Sequence, residues 1–389
     1  MRPTIVVMRK PTRVATAAVV LVSAVSVLVG CTVDGKPTRG PVDLDLGKYG
    51  SMQGQTLPDA TTESAWAKLR AVRLADHMVF PVDVDPGLVS LKMPTMPMPV
   101  PKNLTLSMPD ADTLPSMKDY QYGFSVSAGD KPNDFGINHM VMRFTDDRAA
   151  GAALTEWGGL TSKPKDWYKP GGGKVSVDGM PADAIVVHRV GSTDGSHKYM
   201  AVARSGSYLI YTWADSKDES WAKRAVVTAY QKQKALLDAI GPDDPSRNPD
   251  PTGLIRGTVK VGADDRDPTS ETVWGQRGAA LLYSNGPEAF GELQKAGITV
   301  AAINQTQAYR AGSAAQAEGW RKYLIKDFGD DTSRNAASPR DLSTATCVQK
   351  DDRAGCFVVV GSYVGEAYST TLVDAQQQIS AAYTFLKTL

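Results

Sequence analysis

Cysteine and histidine are both scarce in this 389-residue chain, with three of the first and four of the second. Four histidines (His77, His139, His188 and His197) leave little room for metal centres or for a histidine-activated nucleophile. No Gly-x-Ser-x-Gly elbow, His-Glu-x-x-His pair or P-loop is present, and PGGGK at Pro170–Lys174 lacks the spacing and the following Ser/Thr of a phosphate loop. A charge excess is missing too: 43 Lys+Arg face 42 Asp+Glu. That balance argues against a nucleic-acid partner, which asks for a clustered basic face. Long apolar runs are absent except Val14–Val29, whose sixteen residues, at about 1.5 Å each, reach roughly 24 Å and fall short of a hydrocarbon core of about 30 Å.

What is there begins with that run. Arg2, Arg9, Lys10 and Arg13 precede it, and Leu28-Val29-Gly30-Cys31 closes it with small residues before a thiol. Basic leader, short apolar stretch and small-residue end form the layout of a secretory signal. The four closing residues resemble the bacterial lipobox, which implies cleavage before Cys31 and acylation of its sulfur. Residues 1–30 then read as a signal peptide and 31–41 as a lipidated tether. Each buried CH₂ of the anchor contributes about 0.8 kcal/mol, so release from the membrane is slow. Without the leader the charge balance moves to about −3, and the remaining length suits two domains.

The other two cysteines, Cys347 and Cys356, lie in TATCVQKDDRAGCFVVV, where two β-rich arms flank a polar turn. Outside the cytoplasm such a pair reads as a disulfide, contributing roughly 2.5 to 3 kcal/mol in the chain-entropy model. CxxC spacing and a nearby histidine, which a metal or redox pair needs, are missing.

Gly241–Gly253 (GPDDPSRNPDPTG), with four prolines and three aspartates, reads as a linker. It divides the chain into an N-terminal domain at 42–240 and a C-terminal one at 254–389. VDLDLGKYG alternates as a half-buried strand, and Thr62–Val79 reads as a threonine-capped helix burying Ala65, Leu69, Val72 and Val79. Both halves contain a strand-turn-helix stretch (MRFTDDRAAGAAL and LLYSNGPEAFGEL), and both end on Gly-Ser-Tyr, a strand and a long helix. Gln233 interrupts the apolar stripe of the first long helix, whereas Leu372, Ala375, Ile379, Ala382, Leu386 and Leu389 keep strict three-and-four spacing in the second. The expected fold is α+β, two tandem related domains, each an antiparallel sheet with helices packed on one face.

Three local features invite functional readings. Residues 91–117 are dense in proline and methionine, which forbids helix or central strand and predicts an extended polyproline-like segment. Met93, Met96, Met98, Met108 and Met117 could offer thioethers to Cu(I), but packing along an apolar groove accounts for them more simply. Trp167 and Tyr168 sit beside a glycine-rich turn and are candidates for stacking a sugar ring or meeting a lipid edge. Asp76, His77, Asp83 and Asp85 are close in sequence, yet a helix C-terminus and an exposed alternation explain them without a metal.

The lipobox, VDLDLGKYG, LRAVRLADHMVFPVDVDPGLV, WGQRGAALLYSN and CFVVVGSYVGEAYSTTLVDAQQQISAAYTFL together resemble a family of uncharacterised lipoproteins of mycobacteria and nocardia-like actinobacteria. That resemblance implies a place on the outer face of the plasma membrane and carries no activity. The expectation is therefore a lipid-anchored, non-enzymatic envelope protein with no cofactor, bound to the membrane by its N-terminal lipid and to an envelope protein, glycan or glycolipid. A lipid carrier with an apolar cavity is the alternative, and a wall-acting enzyme a more distant one.

Overall fold

A computed structural model of the chain describes residues 43–162, 173–242, 244–329 and 332–389. In the first half, α1 (Glu63–Leu74) and a single turn, α2 (Pro81–Val84), precede β1 (Ser90–Met98). Then β2 (Tyr120–Gly129) and β3 (Phe135–Phe144) lead into α3 (Asp147–Ser162). Next, β4 (Gly173–Val175), β5 (Ile185–Val190), β6 (His197–Ser205) and β7 (Tyr208–Ser216) lead into α4 (Glu219–Asp238). The second half runs β8 (Thr272–Gly275), α5 (Gln276–Ala280), α6 (Gly286–Lys295), β9 (Val300–Ile303), β10 (Gln307–Arg310) and α7 (Ala314–Phe328). It closes with β11 (Arg334–Ala336), β12 (Thr346–Lys350), β13 (Arg353–Val360), β14 (Tyr363–Ser369) and α8 (Leu372–Leu386).

Among the described residues the strands form two seven-stranded antiparallel sheets, ordered β1-β2-β3-β7-β6-β5-β4 and β11-β12-β13-β14-β10-β9-β8. Reversed, the second order is the first with each strand advanced by seven, so the two domains share one topology. The α+β class and the tandem relation follow the sequence reading. The shared ends match closely: Phe144 N–H donates to Ser207 O at 2.9 Å and Ala311 N–H to Ser362 O at 2.8 Å. Gly206 (φ +57°) and Gly361 (φ +59°) turn the corresponding hairpins in the left-handed region that glycine adopts without a Cβ penalty. The strand-turn-helix element needs a correction. MRFTDDRAAGAAL is β3 running into α3, and its counterpart is β10 running into α7, whereas LLYSNGPEAFGEL is the turn after α5 running into α6, the two helices inserted between β8 and β9.

Helices cover both faces of each sheet rather than one. Alternate residues of β7 show why: Leu209 and Tyr211 join Ala150, Ala153 and Trp157 of α3, while Ala214 joins Ala222 and Val226 of α4. In the second sheet Cys356 and Val358 pack under α8 and Phe357 under α7. Strands apolar on both faces demand cover on both.

Three local expectations are revised. Asp43–Leu46 is irregular and Gly47–Ser51 a 3-10 turn, so VDLDLGKYG is not a strand. Its Tyr49 hydroxyl donates to Asp374 of α8 at 2.7 Å, so this segment, expected to open the N-terminal domain at residue 42, packs on the C-terminal one. The Thr62 cap and the burial of Leu69, Val72 and Val79 hold, but Ala65 is exposed and α1 stops at Leu74. Residues 91–117 form the edge strand β1 and three 3-10 turns, not a polyproline stretch. Prolines fit an edge strand, and at the bulge between Lys92 and Met96 side chains hold the pairing: Ser127 Oγ donates to Pro94 O at 3.2 Å and Ser127 N–H donates to Thr95 Oγ1 at 3.0 Å. Met98, Met108 and Met117 fill the core beneath α3 with Met140, Met142 and Met200, the packing role expected of them.

Gln233, the break in the α4 stripe, is fully buried and binds three partners. Its Oε1 accepts from Val79 N–H at 3.0 Å and its Nε2 donates to His77 O at 2.7 Å. Because Oε1 can only accept, His139 Nε2 donates to it at 3.1 Å, and Nδ1 accepts from the Thr212 hydroxyl at 2.9 Å. This fixes His139 as the neutral Nε2–H tautomer, and burial holds its pKa down to about 4.

The domains meet through one apolar cluster that takes Val72, Phe124 and Ile210 from the first half and Trp274, Leu281 and Trp320 from the second. Phe124 meets Trp274 edge-on at 5.7 Å. Around it, Asp76 Oδ1 accepts from Gly278 N–H at 2.7 Å, while Arg277 lies 3.9 Å over the Phe80 ring and donates to Met78 O at 3.1 Å. Burial pushes the Asp76 carboxyl above its usual range. A Cβ on Gly278 would stand 2.9 Å from the Ala75 methyl, and one on Gly286 would collide with Phe80. The residues expected to act as a linker are pinned as well: Arg247 donates to Ala60 O at 3.0 Å and stacks on Trp66 at 4.5 Å, and Asp250 accepts from Leu254 and Ile255 N–H.

Two outcomes test this packing. Gly278→Ala and Gly286→Ala should each lower stability by about 1 to 3 kcal/mol through overpacking, measured by urea denaturation. His139 has a folded pKa of about 4 against an ordinary 6.5, so it contributes stability above pH 6.5 that is lost as the pH falls towards 4. The loss on going from pH 7.5 to 5.0 should be roughly 2 kcal/mol and should vanish in His139→Asn.

Candidate functional site

The N-terminal sheet carries an open cleft of about 590 Å³ on the α3 face, beyond the end of that helix. Its floor is the start of β3 (Gly136, Asn138) and the end of β7 (Tyr211, Trp213, Asp215). One wall is the bulged edge of β1 with the 3-10 turn behind it (Met93, Pro94, Leu106, Ser107), and the other is the β5–β6 turn with Asp194 and Ser196. The β1 bulge turns Met93 outward. Met93 and Leu106 are 52% and 60% exposed, large apolar groups standing at the rim.

Specific bonds hold the walls. Asn138 Nδ2 donates to Ser107 Oγ at 3.0 Å, tying the turn to the floor. Lys198 donates to Ser196 Oγ at 2.6 Å and to Asp215 at 3.0 Å, and lies 3.6 Å from Asp194. Hydrogen bonding from Ser196 holds the Asp194 carboxyl below its ordinary range. Three buried polar atoms of the lining residues have no hydrogen-bond partner among the described residues: Trp213 Nε1, Asn138 Oδ1 and Asp215 Oδ1. The lining therefore mixes apolar and polar surface with nearly balanced charge, with Lys92 and Lys217 near Asp134, Asp194 and Asp215, and the three unpartnered atoms are buried behind that surface.

On the opposite face of the same sheet, under the start of α4, His188 of β5, His197 of β6 and Glu219 converge, with ligand atoms all within 4.8 Å of one another. His188 Nε2 is 3.0 Å from His197 Nδ1, which is 3.8 Å from Glu219 Oε2. The register places His188 opposite Tyr199, two residues beyond His197, so both imidazoles share a face; His188 stacks on Tyr199 at 4.4 Å, and the two imidazoles lie parallel and edge to edge with centroids 5.2 Å apart. Tyr199 OH donates to Glu219 Oε1 at 2.7 Å and Lys223 lies 2.8 Å from the same oxygen. Hydrogen bonds from Lys223 and Tyr199 draw the Glu219 carboxyl down to about 2, while burial and the Glu219 bond push Tyr199 up to about 12. This trio escaped the sequence reading; two histidines nine residues apart in strands that pair through a short turn were the available signal.

Cys347 and Cys356 face one another across β12 and β13 and are disulfide-bonded. Cys31, Trp167 and Tyr168 lie outside the described residues. Asp76, His77, Asp83 and Asp85 do not converge: Asp76 bonds Gly278, Asp83 faces Arg277 at 4.0 Å, and Asp85 accepts from Trp221 Nε1 at 2.8 Å. Among the described residues no helix is long and apolar enough to cross a membrane.

Fold and cleft thus define a two-domain α+β protein with an open, half-polar groove on its first sheet. Family models for the N-terminal and C-terminal parts of a domain of unknown function, DUF7373, match residues 57–252 and 254–388, and the chain belongs to that family. No curated protein matches it. Among solved structures, the extracellular domain of PknH from Mycobacterium tuberculosis is similar at 14% identity and a TM-score of 0.31, covering 48% of this chain and 99% of that one.

The cleft geometry separates binding from stability. Trp213→Phe should cost less than about 1 kcal/mol, since the indole N–H has no partner to lose, whereas Trp157→Phe on the buried face of α3 should cost about 2 kcal/mol through the cavity it leaves. Urea denaturation of the two variants checks the contrast.

Proposed function

We propose that this protein is a lipid-anchored, extracytoplasmic, non-enzymatic binding protein of an actinobacterial envelope, and that the β3–β7 cleft holds a saccharide portion of an envelope glycan or glycolipid. One observation carries the reading: a groove of about 590 Å³ whose floor combines Trp213 with the polar residues Asn138 and Asp215. Sugars present apolar C–H faces to aromatic rings and a rim of hydroxyls to amides and carboxylates, and such a mixed lining suits them. Near-neutral charge in the lining favours an uncharged ligand. A lipid carrier would need an enclosed apolar cavity, and the groove is open and half polar. Asp194 and Asp215 are both held by Lys198, and neither histidine nor cysteine belongs to the lining, which supports binding over hydrolysis. The anchor rests on the Leu-Val-Gly-Cys sequence ending at Cys31.

Oligosaccharides released from actinobacterial cell wall should quench tryptophan fluorescence on titration. Trp213→Ala and Asn138→Ala should each weaken binding at least about tenfold while both variants remain folded, the loss of one stacked ring or one buried hydrogen bond. Saturable binding that both variants leave unchanged removes the cleft from consideration, and absence of binding to the wild type removes the glycan.

A further inference from the structure

We infer that His188, His197 and Glu219 form a site for a zinc-class divalent cation, with His188 Nε2, His197 Nδ1 and Glu219 Oε2 as ligands. Tetrahedral zinc with nitrogen and oxygen ligands at about 2.0 to 2.2 Å sets neighbouring ligand atoms roughly 3.3 to 3.5 Å apart. The observed separations of 3.0 Å and 3.8 Å lie on either side of that value and all three ligand atoms fall within 4.8 Å of one another, so rotation of the side chains brings their lone pairs onto a common centre. Two imidazoles and a carboxylate select zinc, nickel or copper over magnesium or calcium, which take oxygen.

The surroundings are built for the purpose. Tyr199 and Lys223 both hold Glu219 Oε1, leaving Oε2 turned to the histidines, the kind of outer contact that orients a ligating carboxylate. Stacking on Tyr199 fixes the plane of His188, and the 3.0 Å edge contact holds the His197 ring parallel to it. Without metal, one imidazole donates its proton to the other across the 3.0 Å contact. Metal binding moves that proton to the outer nitrogen of the donating ring and frees both facing lone pairs, with no net proton or electron exchanged. Glu219 and His197 remain partly exposed, so the fourth position is open to solvent or to a donor from another molecule. The ion would join β5, β6 and the first turn of α4, on the face of the sheet opposite the cleft.

The test uses the full chain, purified in detergent without a histidine tag. Co²⁺ added to the wild type should give one equivalent of tetrahedral visible absorption that Zn²⁺ displaces. His188→Ala and His197→Ala should each weaken binding at least tenfold, and Tyr199→Phe, which keeps the ring on His188 and removes only the hydroxyl bond to the carboxylate, should weaken it less, while His77→Gln leaves it unchanged. In the wild type alone, Zn²⁺ should shift the imidazole nitrogen resonances of His188 and His197 and leave those of His139 in place, a reading that needs no variant to fold. A folded wild type that gives no Co²⁺ absorption, or absorption that persists in the double His188→Ala, His197→Ala variant, overturns the site.

Discussion

The rest of the structure depends on one demand: the apolar face that β2, β3 and β7 turn towards α1 has to be covered, and the C-terminal domain supplies much of the cover. Val72, Phe124, Val141 and Ile210 share a cluster with Trp274, Ala280, Leu281 and Trp320. Cutting the chain at the proline-rich segment would expose that surface on both sides, so neither sheet is finished alone. The buried Asp76 carboxyl and the Arg277 guanidinium over Phe80 then set the register of one domain on the other, a task that apolar contact, being non-directional, leaves open. The Gln233–His139 network does the same within the first half, tying α4, β3, β7 and the segment that follows α1 to a single arrangement.

The duplication is legible in the pairing as well as in strand order. The Val186–Ala201 pair of β5 and β6 is matched by Cys347–Cys356 of β12 and β13, so an apolar contact in one half is a covalent one in the other. Arg189 and Lys350, both buried, also correspond. The halves nonetheless meet through different faces: the first offers the side that carries α4, and the second offers the side of α7, the counterpart of α3. A pair joined in this way has no two-fold axis, and each half is free to develop its outer face separately.

Much of the fold could be read in the sequence, for identifiable reasons. Strong alternation and turn chemistry marked the β12–β13 hairpin and its disulfide, and the Gly-Ser-Tyr corners marked the repeat. Burial on both faces did not show, because β3 and β7 read as apolar in either register, so the second layer of helices went unseen. Gln233 looked like a defect since its three partners are 94 to 156 residues away in sequence. Prolines 94 and 97 argued against a strand, and only the side chains of Thr95 and Ser127, invisible to any local pattern, make one workable there. The cleft was out of reach for the same reason: Trp213 and Asn138 are 75 positions apart and meet only through the β3–β7 register.

Comparison of the halves shows what the cleft is built on. Arg143 and Arg310 occupy equivalent places, each paired with the hairpin tyrosine, Tyr208 or Tyr363. Counting back from them, β10 begins at the position of Met140, whereas β3 continues to Phe135. The cleft floor at Gly136 and Asn138 is built on that extension, beyond the common core, where α3 no longer covers the sheet. The same extension, carried through β7 and β6, reaches His197. Ser196 and Lys198 point to the cleft side of β6 while His197 and Tyr199 point to the other, so the two candidate sites are separated by one pleated strand. Side chains on opposite faces do not touch, and a central strand bonded on both sides has little freedom to shift. The two sites are therefore placed to operate independently on one rigid support.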